Sequence, residues 1–205
     1  RDEENRAAQF LEVAAGLRSS CAITNDGQLY AWGCNRSGQL GLPTTLKCVT
    51  APSLISTIAG RPLGPVQAVV CGQRHTALVS MGGRSIWCLG DNRWCQLGST
   101  TADNDNNNDA GRRAAQIMLD TYAMQEATAT APIVEQIGAG WSHTVVRLSN
   151  GRVLTWGRGD RGQLGTRLPE GMGSSATPLP VELPASATSI AVGSEHTLAL
   201  LDNGQ

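Results

Sequence analysis

The sequence predicts an all-β protein, a β-propeller arc of three full repeats and a fourth that stops early. Three observations predict it. A Gly-x-x-His-Thr phrase recurs at Gly72–Thr76, Gly140–Thr144 and Gly193–Thr197, with a fourth copy at Gly16–Ser20 in which Ser19 stands at the histidine position. A glycine follows each of these positions at a fixed distance: Gly27, Gly83, Gly151 and Gly204. A Gly-x-x-x-x-Gly-Gln-Leu-Gly loop closes the unit at Gly33–Gly41 and Gly157–Gly165, and at Gly90–Gly98 with Cys95 for the middle glycine. Phrases repeating in register identify a repeat architecture before any residue is given a chemistry.

Within each unit the elements follow in order. The phrase containing Ser19, His75, His143 or His196 opens an apolar strand. Asp26-Gly27, Gly82-Gly83, Asn150-Gly151 and Asn203-Gly204 then mark hairpins, and the two-residue primed turn is the expected form. A second strand ends in Trp-Gly at Trp32 and Trp156, while the second copy reads Ile86-Trp87-Cys88-Leu89-Gly90, with its tryptophan two positions early. The glycine-rich loop comes next, and then a variable outer segment. An isolated hairpin is marginal in water, so such units must stack. Radial blades are one solution that protects sheet edges.

These motifs resemble the regulator of chromosome condensation family, with Gly140–Thr144, Asn150-Gly151, Trp156-Gly157 and Gly162–Gly165 as the clearest copy. The resemblance covers about residues 10–99 and 132–205. It implies a seven-bladed propeller. The repeats read at about 10–65, 66–99, 132–185 and a truncated 186–205, so the chain is expected to be a segment of an incomplete ring. The remaining blades are expected from the parent protein or from another chain.

Composition narrows the function classes. Net charge is −1, so no global field favours nucleic acid, and direct nucleic-acid binding is not expected. No apolar run is long enough to span a bilayer, and no membrane partner is expected. The six cysteines (Cys21, Cys34, Cys48, Cys71, Cys88 and Cys95) lack Cys-x-x-Cys spacing and are expected as buried free thiols. That usage favours an intracellular setting, cytoplasmic or nuclear. Residues 100–131 form an insertion. Its polar start is expected to be disordered, and Arg112–Glu126 is expected to be helical, with Ala115, Leu119, Tyr122 and Ala123 on one face.

No catalytic residue, metal ligand or cofactor is expected. No carboxylate accompanies the histidines at a fixed spacing, and Ser19 would break a ring of ligands. Ser19, His75, His143, His196, Gly27, Gly83, Gly151, Gly204, Trp32 and Trp156 read instead as structural repeat positions. Fifteen of the sixteen basic residues are arginine. Arg36, Arg93, Arg158 and Arg161 lie in the glycine-rich loops and are the candidate partner-binding residues. Arg36, Arg93 and Arg161 are expected to form a basic arc, with Asp91 and Asp160 as the nearest charges to pair with them. The expected function is a non-enzymatic protein-interaction module, a scaffold or regulatory domain of a longer protein. The resemblance also implies two alternatives, guanine-nucleotide exchange on a small GTPase and docking to chromatin.

Overall fold

The computed structural model describes residues 8–80, 82–100, 114–119 and 131–205. Sixteen strands are found among them. The first blade holds β1 (Phe10–Ala15), β2 (Ser19–Thr24), β3 (Leu29–Cys34) and β4 (Cys48–Ile55) in that order. A hairpin of β5 (Thr57–Ile58) and β6 (Arg61–Pro62) follows. The second blade holds β7 (Val66–Cys71), β8 (His75–Ser80), β9 (Ser85–Gly90) and β10 (Ala114–Met118). The third holds β11 (Val134–Ala139), β12 (His143–Leu148), β13 (Val153–Arg158) and β14 (Ser174–Pro180). A fourth sheet has two strands, β15 (Ala187–Val192) and β16 (Thr197–Leu201).

The period-2 alternation of strands builds the core between blades. Ala77 and Val79 on β8 face the third blade, with Ile86, Cys88, Val146, Leu154 and Trp156. Leu78, Trp87 and Leu89 point the other way, toward Cys21, Ile23 and Leu29 of the first blade. Every residue of β8 and β9 is therefore buried, whereas the outer strand β4 is mostly exposed. The register puts Leu89 where Trp32 and Trp156 stand, since Thr76 pairs with Leu89 as Ser20 pairs with Trp32 and Thr144 with Trp156. The early Trp87 thus fills the position of Tyr30 and Leu154.

Two polar joints tie successive blades together. At one end, the hairpin glycine carbonyl accepts the first N–H of the next inner strand: Gly27 from Val66, Gly83 from Val134 and Gly151 from Ala187, each at 2.9 Å. At the other end, a threonine hydroxyl of one blade enters the blade before it. Thr144 Oγ1 donates to the Gln96 carbonyl (3.0 Å) and contacts His75 Nε2 (3.1 Å), and Thr197 Oγ1 repeats this with Gln163 (2.9 Å) and His143 (3.1 Å). Trp156 Nε1 donates to the same Gln96 carbonyl at 3.0 Å. Between them, Gln136 reaches from β11 to Ile190, accepting from its N–H at 2.8 Å and donating to its carbonyl at 2.9 Å.

The structure corrects three expectations. First, the hairpins at Gly27, Gly151 and Gly204 are three-residue loops in which only the glycine has positive φ (80°, 78° and 83°). Thr24 illustrates the closure: it accepts from Gly27 N–H at 2.9 Å and donates to the Gln28 carbonyl at 3.0 Å. Only the second copy, at Gly82 and Gly83, has two consecutive positive-φ residues. Second, Ala114–Met118 is a strand and not a helix, because it completes the second blade against β9 and so carries that repeat past residue 99. Tyr122, Ala123 and residues 101–113 lie outside the described residues. Third, the cysteines are free, but only Cys21 and Cys88 are buried, and Cys48 is exposed.

Replacing Thr144 by valine keeps the shape and strips the hydroxyl from a buried joint. It is expected to cost about 1–3 kcal/mol of unfolding free energy, read by urea titration. Glu12 occupies the Gln136 position in the first blade and makes one contact, accepting from Val69 N–H at 3.4 Å. Burial holds its carboxyl above the usual range. Glu12→Gln restores the second bond and removes the half-buried charge, so it should raise stability by roughly 0.5–1.5 kcal/mol at neutral pH. That gain should shrink as pH falls and the Glu12 carboxyl takes up its proton.

Candidate protein-interaction face

The turns after β1, β7, β11 and β15 and the loops after β3, β9 and β13 lie on one face. Backbone bonds tie them in pairs: Cys34 to Arg18 (2.7 Å), Asp91 to Arg74 (2.9 Å) and Arg158 to Ser142 (2.8 Å). Leu17, Gln73, Trp141 and Ser194 surround the mouth of the central cavity there. The cavity wall is glycine because the blades converge. A Cβ on Gly16 would stand 2.5 Å from the Gly72 carbonyl, and one on Gly72 would stand 2.5 Å from the Gly140 carbonyl.

The outer loops are shaped by buried side chains bonded to backbone. Asn35 Nδ2 donates to the Leu42 and Pro43 carbonyls, both at 3.1 Å, and its Oδ1 accepts from Leu40 N–H at 3.1 Å. Asn92 does the same with Ser99 and Leu97. Gln39, Gln96 and Gln163 accept from the N–H groups of Ser37, Trp94 and Arg161. These contacts leave the intervening side chains pointing outward.

The candidate arginines sit on this face, but not as one arc. Arg36 and Arg93 are equivalent and exposed, while Asp160 takes their place in the third loop and Arg161 falls one residue later, opposite Ser37 and Trp94. Two of the four candidates are also held in ion pairs. Arg93 grips Asp91 with both Nε and Nη2, at 2.9 and 2.7 Å to Oδ2. Arg158 donates from Nη2 to Asp160 at 2.8 Å and from Nη1 to Glu195 at 3.4 Å, and its guanidinium lies 4.6 Å from the Trp94 ring centroid. One arginine of the third blade thus binds residues of the second and fourth.

Sequence reasoning missed the apolar side chains of this face. Leu17 (59% exposed), Leu46 (50%), Trp94 (36%), Trp141 (47%) and Met172 (61%) all project from it. Among the described residues, no large apolar side chain is exposed in the turns of the opposite face. Trp141 and Trp94 break the repeat at their positions, which is the signal that marks them. Further exposed apolar residues, Leu11, Val13, Leu198 and Leu200, lie on β1 and β16 at the two ends of the arc.

The histidines do not open onto this face. His75 and His143 are fully buried. Their Nδ1 atoms have no hydrogen-bond partner among the described residues and lie against Gly72 and Gly140. No group of three or more potential metal ligands occurs among the described residues. In the first joint, where Ser19 stands in for histidine, Thr76 Oγ1 turns to Cys71 Sγ at 3.9 Å. The Cys21 thiol, then the Thr76 and Ser19 hydroxyls, hold the Cys71 thiol below its ordinary range.

Sequence comparison agrees with this architecture. The Regulator of chromosome condensation (RCC1) repeat matches residues 26–79 and 150–200, and a second form of that repeat matches 10–39 and 134–163. The chain belongs to the RCC1 repeat family. It is 31% identical over 212 residues to the secretion-regulating guanine nucleotide exchange factor of Mus musculus, spanning 92% of this chain and 41% of that protein. It is 28% identical over 195 residues to the ultraviolet-B receptor UVR8 of Arabidopsis thaliana, spanning 93% and 38% respectively. The chain therefore covers less than half the length of these RCC1 relatives. Among solved structures, human WBSCR16 superposes with a TM-score of 0.76 at 22% identity, over 95% of this chain and 45% of that one. Prp20p from Saccharomyces cerevisiae, described for its binding to Gsp1p and histones, gives 0.74 at 19%, over 98% and 45%. These two likenesses show the propeller fold.

The RCC1 joints carry a pH signature. Burial, with His143 beside it, holds the His75 pKa down at about 4, and burial followed by His196 does the same to His143. Between their ordinary 6.5 and about 4, the unfolded chain binds protons that the fold refuses. Stability is therefore full above this window and falls as pH drops through it, by roughly 1–3 kcal/mol per histidine. Urea midpoints measured across the window should show this slope. His75→Gln should make it shallower, whatever that variant's absolute stability.

Proposed function

We propose that this RCC1 segment is a non-enzymatic protein-interaction module, a scaffold or regulatory domain, and that it binds a protein partner through the cavity-mouth face. The carrying observation is that exposed Leu17, Leu46, Trp94, Trp141 and Met172 gather on that face, while among the described residues the turns of the opposite face expose no large apolar side chain. Tryptophan and arginine are the side chains most enriched at the energetic centres of protein interfaces. Here Arg158 is already held against Trp94 by its two carboxylates, so little side-chain freedom remains to be lost on binding. The paired arginines and a net charge of −1 speak against direct binding to a nucleic-acid backbone. A small GTPase, a chromatin protein or another regulatory protein in the cytoplasm or nucleus fits this surface.

A second reading is guanine-nucleotide exchange on a small GTPase. The likeness to the mouse exchange factor, over nearly the whole of this chain, favours it. It needs no catalytic side chain, only a surface that distorts the nucleotide site of its partner. Accelerated release of labelled nucleotide across a panel of small GTPases would support it, and no acceleration would leave the scaffold reading.

The face assignment is tested by quantitative affinity capture from cell extract. Trp94→Ala with Trp141→Ala should reduce recovery of bound proteins at least about tenfold, as expected for two interface tryptophans. Asn25→Ala with Asp202→Ala, on the opposite face, should leave recovery unchanged. The reverse pattern would assign binding to the other face.

A further inference from the structure

Four of the six cysteines fall into two spatial pairs, and one pair is accessible. Cys34 and Cys48 are direct partners across β3 and β4. The Cys34 N–H bonds to Arg18 on the β2 side (2.7 Å), whereas the N–H of the next residue, Asn35, bonds to Lys47 on the β4 side (2.9 Å). Backbone groups alternate direction along a strand, so Cys34 and Cys48 form a pair without hydrogen bonds between them. That is the closer of the two antiparallel pairings, with Cα atoms about 4.5 Å apart and both side chains on one face of the sheet. A disulfide accepts Cα separations of about 4.4–6.8 Å, so the backbone already has the required geometry. Cys48 is exposed and Cys34 half-buried.

The position is also singular within the repeat. Asp91 and Arg158 stand where Cys34 stands, each in an ion pair with the residue two further on. The first blade has a thiol there instead, facing a second thiol at the neck of the 35–47 loop. That loop presents Arg36 and Leu46 on the cavity-mouth face.

We propose that Cys34 and Cys48 are a redox modification site, oxidised by a peroxide to an intrachain disulfide that closes the neck of this loop. One thiolate attacks a peroxide oxygen and breaks the O–O bond, giving a sulfenic acid and, with hydrogen peroxide, water. The second thiol attacks that sulfur. The S–S bond forms, the hydroxyl leaves, and a second water is released. Two thiols and one hydrogen peroxide thus give one disulfide and two waters, and a dithiol reductant reverses the change. The disulfide does not depend on the interaction reading. Only its effect on a partner does.

The test treats the reduced protein with hydrogen peroxide and follows it by alkylation and peptide mapping without reductant. The expected result is the loss of two alkylatable thiols per chain in step. One linked Cys34–Cys48 peptide should appear, lighter by two hydrogens than its two halves, and dithiothreitol should restore both thiols. In Cys48→Ser, Cys34 should stop at a sulfenic acid that dimedone traps. A Cys21–Cys71 link, a link between chains, or independent conversion of Cys34 and Cys48 to sulfinic or sulfonic acids would overturn the proposal.

Discussion

The threonine hydroxyl that enters the preceding blade fixes more of this structure than any apolar contact does. Thr144 has one proton and gives it to the Gln96 carbonyl. His75 must then donate to Thr144, so its proton sits on Nε2 and its Nδ1 is bare. A bare, buried nitrogen is tolerable only against a surface with no polar group to satisfy, and the imidazole edge lies on Gly72. Glycine at that place also lets the next inner strand approach the cavity axis. Histidine, threonine, glycine and the Gln-Leu-Gly loop therefore recur together because they are parts of one joint. The same logic keeps the imidazole neutral, since a second proton on Nδ1 would be a buried charge without an acceptor.

That coupling explains how much of the fold was legible. Positions in the joints have one chemical solution, so they repeat in sequence and reveal the blades. Elements whose identity depends on a neighbour outside the repeat were harder to read. Ala114–Met118 has good helix formers, but β9 offers a free edge and pairing outweighs local propensity. The β5–β6 hairpin has no counterpart among the described residues of the other blades. Its turn uses Ala59 and Gly60 at φ of 51° and 74°, and it drives Ile58 into the core of the first joint. Cys95 likewise holds a left-handed φ of 61° where the other copies have glycine, a conformation imposed by the loop rather than favoured by the residue.

The cavity-mouth face was legible only in outline, for a physical reason. Its loops take their shape from Asn35, Asn92 and the buried glutamines, all bonded to backbone. The exposed side chains between them satisfy no structural demand and follow no period. In the sequence Arg161 groups with Arg36 and Arg93 because it lies in the same loop of the third copy. The backbone contact to Gln163 instead aligns Arg161 with Trp94, leaving Asp160 as the equivalent of Arg93. The second and third loops then carry the same ion pair in opposite order, Asp91–Arg93 and Arg158–Asp160. Arg93 and Arg158 are thus neutralised within their own loops, and the exposed apolar residues stand between them.

The first joint shows what happens when the shared solution is abandoned. Ser19 is too short to reach Thr76, and Thr76 turns inward to Cys71. Cys71 takes the place of Ala139 and Val192, and Cys21 that of Ala77 and Val145, so three departures from the repeat meet at one interface. Polarizable sulfur packs into this interface, and the directed histidine–threonine bond is missing from it. The β5–β6 hairpin lies at the same interface and contributes Ile58 to its core. Apolar packing there replaces part of a polar joint. Such packing is less directional than a hydroxyl bonded on two sides, so at this end of the joint the first and second blades are held by shape where the second and third are held by hydrogen-bond geometry.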